Sequence, residues 1–254
     1  MASVFRAFNG GTVIATALVA AALLGFAAPA AATPAWVKRA LGGDGRRASP
    51  PPVARYLIDD GGVFTLDHST RLTLLKFDDS PEVWVLFPSR GPRGDMIYKN
   101  DIDEPLVRAT KLGGVTVFTS RRPEGSAASL VGSTSPLRLQ PLGPVGLFNR
   151  LYQASVRASR AAQHSIGFEA PEADVTSDGL IADAAAVASA AMVSLSGKNG
   201  GKSLIARLGR IIFSQGAKPT ANLRGGILII TVVPSQGLAG RPSSGRILQA
   251  MGAR

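Results

Sequence analysis

Residues 53–119 constrain the fold more than any other stretch of the chain. Short apolar segments centred near Tyr56, Phe64, Leu74, Val85, Ile97, Val107 and Val117 recur there about every 8–12 residues. Turn-forming groups separate them: Asp60-Gly61-Gly62, Asp78-Asp79-Ser80-Pro81, Pro92-Arg93-Gly94-Asp95, the stretch from Asn100 to Pro105, and Gly113-Gly114. That spacing predicts an antiparallel β meander or a small sandwich, because hairpins need turn residues at this interval and little else between strands. Several segments alternate as a sheet with one wet face requires, Thr116 and Phe118 pointing one way and Val115, Val117 and Thr119 the other. Phe77 and the run 83–87 are denser, which predicts strands buried on both faces and places Trp84 in a core.

The period changes in the second half. Leu147, Leu151, Ala154, Ala158 and Ala161 recur at helical spacing and predict a helix over about 145–164. A short strand is expected at 166–169. Ser177 and Asp178 then offer an N-cap to an alanine-rich helix ending at Leu195. Leu204, Ile205, Leu208, Ile211 and Ile212 predict an amphipathic helix, with Lys202, Arg207 and Arg210 off its apolar stripe. The apolar run 227–233 reads as a central strand, and Pro242 as the start of a last helix through Met251. The stretch 120–144 is rich in Ser, Gly and Pro and is expected to be a crossing loop, with at most a short strand at 137–139. Strands first and helices later make an α+β chain: an antiparallel β module over 53–140, followed by a helix-rich α/β half over 141–254 packed on it.

The beginning of the chain carries an address. Arg6 precedes an apolar stretch over 13–26, and Ala30-Ala31-Ala32 supplies small residues at −3 and −1. This is the pattern of a secretory signal peptide, cleaved after Ala32, with an uncleaved membrane anchor as the alternative. Cleavage leaves no stable transmembrane helix and a periplasmic chain, which begins with a flexible linker over 33–52 marked by Gly42-Gly43 and Pro50-Pro51-Pro52. The absence of cysteine excludes a lipoprotein anchor, disulfides, a thiolate metal site and a cysteine nucleophile.

Charge is unevenly placed. The net charge is +11, yet 53–124 is close to neutral, and no carboxylate follows Asp183. An acid-free basic half points to a polyanionic partner, either an anionic lipid or a cell-wall polymer; export makes nucleic acid the poorest fit. The residues expected to form an anion-binding patch are Lys198, Lys202, Arg207, Arg210, Lys218 and Arg224.

Enzymatic motifs are weak. Gly200-Gly201-Lys202-Ser203 resembles a phosphate-binding loop, but Ser196 stands where the motif needs its first glycine, and a helix rather than a strand leads in. Arg93-Gly94-Asp95 is read as a hairpin turn, not an adhesion signal. His164 ends a helix, where a cation suits the C-terminus. Asp67-His68-Ser69 holds the residue types of a hydrolytic triad, but neighbours in sequence do not converge as a triad must. The carboxylates Asp59, Asp60, Asp67, Asp78, Asp79, Asp95, Asp101, Asp103 and Glu104 all sit at predicted turns. They offer a pair for glycan cleavage or oxygens for calcium. Turns recruit aspartate in any case, to bond their own backbone.

Several stretches carry a resemblance. They include Leu75 to Leu86 (LLKFDDSPEVWVL from Leu74), Gly91 to Asp101 (GPRGDMIYKND), Leu112 to Phe118, Arg157 to Ala162, Phe168 to Pro171, and Gly240 to Ile247 (GRPSSGRI). Together they resemble the alphaproteobacterial family DUF4908. The resemblance implies an exported protein and brings no catalytic, cofactor or metal-binding residues with it. The expectation is therefore a non-catalytic periplasmic or envelope protein contacting an anionic surface, with no cofactor; the alternative is a periplasmic hydrolase of a glycan or wall polymer acting through turn carboxylates.

Overall fold

A computed structural model of the chain describes residues 50–253. The leader and nearly all of the linker expected from the sequence lie outside the described residues. Eight strands come first: β1 Val53–Ile58, β2 Val63–Asp67, β3 Thr73–Phe77, β4 Val83–Arg90, β5 Met96–Lys99, β6 Pro105–Ala109, β7 Val115–Thr119 and β8 Arg122–Ser133. Each pairs antiparallel with the next, and β8 also pairs with β1, so the sheet closes into a barrel. The fold is α+β, and the predicted meander is a barrel. Closure pairs the first and last strands of the barrel with each other, so the barrel has no terminal edge strand.

The closing strand lies where a loop was expected. Arg122–Ser133 is long, but seven of its twelve residues are Gly, Ser or Ala, which have little strand propensity of their own. It is a strand because β1 and β7 each present an unpaired edge that only it can satisfy. Its small side chains also suit the inside of the barrel, where Ala128 lies opposite both Val115 and Ile58. Gly125 has φ +91° at a bulge, and a Cβ there would lie 2.7 Å from the Thr116 side chain. Alternate residues of the other strands fill the interior: Ala54, Tyr56, Ile58, Phe64, Leu66, Leu75, Leu86, Val107 and Val117. Trp84 packs against this core but stays half-buried.

The second half is a four-stranded sheet in the order β11 (Thr220–Arg224), β12 (Ile227–Val232), β10 (Arg210–Gln215), β9 (Gly167–Glu169). β9, β10 and β12 are parallel, and β11 runs against β12. Helices α1 (Pro144–Ala162), α2 (Asp178–Ser196), the short α3 (Gly201–Ile205) and α4 (Ser244–Ala250) complete it. α2 is long and apolar enough to cross a membrane by composition alone, but in the fold it is the core helix, buried on most sides. Its alanines allow close approach to Ala154 and Ala158 of α1. Ser177 stands at its N-cap without capping it; the Ser177 hydroxyl instead accepts a bond from the Asp174 amide at 2.9 Å.

The expected helix over 204–212 is divided. α3 ends at Ile205, Ala206 and Arg207 turn, and Arg210–Gln215 is a strand. Leu204, Ile205 and Leu208 fit a helix and Ile211 to Phe213 fit a strand, so periodicity alone could not separate them. Pairing decides it: β10 is held between β9 and β12 in continuous register, with Ile211 and Phe213 buried. The connection 134–143 has no strand, only an extended path, and α4 starts two residues after Pro242, where the Ser243 hydroxyl accepts from the Arg246 amide at 3.1 Å.

Candidate functional site

In an up-and-down barrel, alternate turns fall at the same end. The β1–β2, β3–β4 and β5–β6 turns therefore bring Asp59, Asp60, Asp78, Asp79, Asp101, Asp103 and Glu104 to one end, and leave Asp67 and Asp95 at the other. Most of these carboxylates are occupied. Asp78 pairs with Arg55, Asp103 with Lys99 at 3.0 Å, and Glu104 accepts from the Asn100 amide group at 3.0 Å. Asp101 takes bonds from the Ser243 amide and hydroxyl, and Asp60 accepts from the Gly62 amide. Asp95, of the Arg93-Gly94-Asp95 turn, is buried against the Arg108 guanidinium. Among the described residues no group of three or more acidic or histidine side chains is placed to hold a metal ion.

Asp67 shows what such a carboxylate does here. It is fully buried and accepts from the amides of Ser69 and Leu137, each at 2.8 Å, tying the 134–143 connection to the barrel. Burial pushes its carboxyl upward, but the bonds from Ser69 and Leu137, with Arg138 nearby, outweigh this and hold it below the usual range. A depressed carboxyl stabilises the fold above its unfolded pKa of about 3.9, and that stability is lost as pH falls through the lower folded value. Asp67→Asn is expected to cost about 1–3 kcal/mol at pH 7. In urea titrations the gap to the parent should narrow as pH falls below about 3.9; a gap unchanged with pH would contradict this role.

The histidines are structural too. His68 Nδ1 lies 3.0 Å from the Thr73 hydroxyl, and burial lowers its pKa against the opposing pull of Asp67. His164 Nε2 lies 2.7 Å from the Leu208 carbonyl and ties the end of α1 to the turn before β10. The glycines of the 197–203 loop also have a local purpose. Gly200 has φ +74°, and a Cβ on Gly201 would sit 1.8 Å from the Leu195 carbonyl oxygen, so the loop is a tight helix–helix turn.

The cations are distributed by helix direction. Leu142 meets Asp178 where α1 and α2 begin, and Arg157 meets Ser189 further along, so the two helices run side by side in the same sense. Both end near the start of β10. Lys198 and Lys202 follow α2, Arg207 precedes β10, and Arg210 opens it. Arg210 and Arg224 flank Ile227 in register across β10, β12 and β11. Five of the six expected patch residues thus gather at one end of the sheet, all exposed, with Glu169 3.7 Å from Arg210. Lys218 stands apart, in the β10–β11 loop at the opposite end. It lines a cleft of about 830 Å³ between β4, β5 and β11, together with Lys99, Asn222 and Arg246. A second cavity, of about 680 Å³, lies between the barrel mouth and α4, floored by Phe77, Trp84 and Leu106 and rimmed by Asp79, Arg121 and Lys198.

One charged cluster escaped the sequence reading. Arg241 has a side chain only 1% exposed and reaches Asp183 on α2, Glu82 before β4, and the Val83 carbonyl at 2.9 Å. Ser244 donates its amide to Glu82 at 2.9 Å. Burial pushes the Glu82 carboxyl upward, with Arg241 and Ser244 pulling against it. The signal available was Glu82 itself, a charge directly before an apolar run. The cluster joins the two halves of one compact unit.

The geometry defines a two-part α+β protein, a closed eight-stranded barrel bolted to a helix-covered sheet by a buried arginine. The chain belongs to the family described as a domain of unknown function, DUF4908, which matches residues 37–251. The Glu82 and Arg241 stretches, both quoted above for the resemblance, form that junction. No curated protein and no solved structure matches the chain.

Proposed function

We propose that this chain is a non-catalytic protein of the cell envelope, exported by its N-terminal leader, whose basic end contacts an anionic lipid or wall polymer. The observation that carries this reading is the convergence of Lys198, Lys202, Arg207, Arg210 and Arg224 at one end of the α/β half, in a segment with no carboxylate after Asp183. Exposed cations, here with Glu169 as the acid beside Arg210, raise the local concentration of a polyanion. The engagement of most turn carboxylates in local bonds favours binding over hydrolysis.

The test is co-sedimentation of the mature chain, from Thr33 onward, with phosphatidylglycerol vesicles, phosphatidylcholine vesicles and purified peptidoglycan at low and high salt. Binding to an anionic phase should fall with salt, because exposed charges are screened. Each cation near an anionic surface contributes about 1 kcal/mol, so Lys202→Gln, Arg207→Gln and Arg210→Gln together should weaken binding on the order of a hundredfold. Absence of binding to every phase would remove the basic end as evidence, and release of sugar fragments from peptidoglycan would favour the hydrolase reading instead.

A further inference from the structure

α1 has two unlike faces. Leu147, Ala154 and Ala158 are buried against the core. On the outer side Val145, Phe148 and Tyr152 are 75%, 67% and 63% exposed. Spaced at i, i+3 and i+7, they form one stripe along the helix. Val156 continues it, and Val193 of α2, also exposed, lies across a groove from it. Leu112 and Val175 stand alone on turns, and Leu57, Phe87, Leu130 and Val131 lie on barrel strands rather than on a helix. A contiguous exposed apolar face with aromatic residues marks a contact surface.

The charge beside that face says what it contacts. α1 carries Arg150, Arg157 and Arg160 and no carboxylate. Arg157 and Arg160 line the same groove as Tyr152 and Val156. An aromatic-apolar stripe beside a purely cationic one suits the headgroup boundary of an anionic bilayer, where rings enter the acyl edge and guanidinium groups meet phosphate. An apolar peptide would leave the arginines without partners. We infer that α1 is a membrane-surface helix: Val145, Phe148 and Tyr152 insert at the boundary of an anionic bilayer, and Arg157 and Arg160 hold lipid phosphates in the α1–α2 groove. This rests on the envelope reading above and selects lipid over wall polymer.

The chain has no cysteine, so one introduced thiol labels a single site. Val145→Cys in the mature chain, carrying an environment-sensitive fluorophore, should shift to the blue with vesicles containing phosphatidylglycerol and not with pure phosphatidylcholine. Leu112→Cys, on the β6–β7 turn, should not respond. Adding Phe148→Glu and Tyr152→Glu should abolish the shift and weaken vesicle binding on the order of a hundredfold. Should that pair misfold by circular dichroism, Arg157→Gln with Arg160→Gln tests the same face. A silent Val145 label on protein that still pellets with vesicles overturns this inference and leaves the basic end standing. Binding to peptidoglycan but not to vesicles does the same. A dimer that forms without lipid and is dispersed by the two glutamates, with the label silent to vesicles, assigns the face to a second copy of the chain and also overturns it. Weakened vesicle binding in the Lys202, Arg207 and Arg210 variant, with the Val145 shift restored at high lipid, supports the inference, because α1 then inserts without help from the basic end.

Discussion

Replacing Arg241 by alanine is expected to lower folding stability by about 3–5 kcal/mol, because removing one partner of a buried ion cluster leaves the others charged and unpaired. Glu82 is only 5% exposed and Asp183 19%, and Arg241 is the cation both of them face. The Val83 carbonyl loses its donor as well. The deficit should also depend on pH. Burial already raises the Glu82 carboxyl above its ordinary value, so the folded state binds that proton more tightly than the unfolded one. Stability from this group is therefore full below the unfolded pKa and is lost as pH rises through the folded value. Without Arg241 the raised value rises further, and the loss should be larger at pH 8 than at pH 5. Urea unfolding followed by circular dichroism at both pH values measures this. Exchanging Arg241, Glu82 and Asp183 together for Met, Leu and Leu should recover much of the loss, since buried ion clusters are often replaceable by well-packed apolar groups. A loss below about 1 kcal/mol in Arg241→Ala would mean that water reaches the junction.

Phe64→Ala should cost a similar amount by a different route. Phe64 is fully buried in the barrel, stacked on Tyr56 at 5.2 Å and tilted against Phe77 at 5.9 Å. Truncation removes a ring and leaves a cavity between strands that cannot collapse inward, because closure fixes their spacing; large aromatic deletions of this kind cost about 3–5 kcal/mol. Trp84, against the barrel core, reports on that half, and helical circular dichroism reports on the other. If the Arg241 junction makes the two halves one cooperative unit, both signals should move to the same lower urea midpoint. A fluorescence transition that moves while the helical one stays would show that the barrel unfolds by itself.

Much of this architecture was legible because local chemistry and tertiary demand agreed. Tyr56, Phe64, Leu75, Val107 and Val117 sit in short apolar segments bounded by turn residues, so their strands were evident, and the alanine-rich stretch ending at Leu195 could be little but a helix. Disagreement begins where a residue's own preference is weak or divided. The Arg122–Ser133 strand is mostly Gly, Ser and Ala with little strand signal, and Ile211 and Ile212 fit a helix stripe as well as a strand. The candidate site divides in the same way. The acid-free basic segment was visible in composition, but not that Lys218 would fall at the far end of the sheet, nor that α1 would leave Phe148 and Tyr152 in solvent.

By itself, then, the sequence determined the strand-then-helix order, the turn positions, the charge asymmetry and the family, all of which depend on neighbours along the chain. Only the tertiary structure decided that the meander closes into a barrel, that β10 is a strand, that Arg241 is buried between Glu82 and Asp183, and which cations share a surface. Each of those depends on partners far apart in sequence, such as Leu57 with Ser129 or Arg241 with Val83. Unsatisfied backbone edges and buried charges choose such partners by geometry, and no local pattern records that choice.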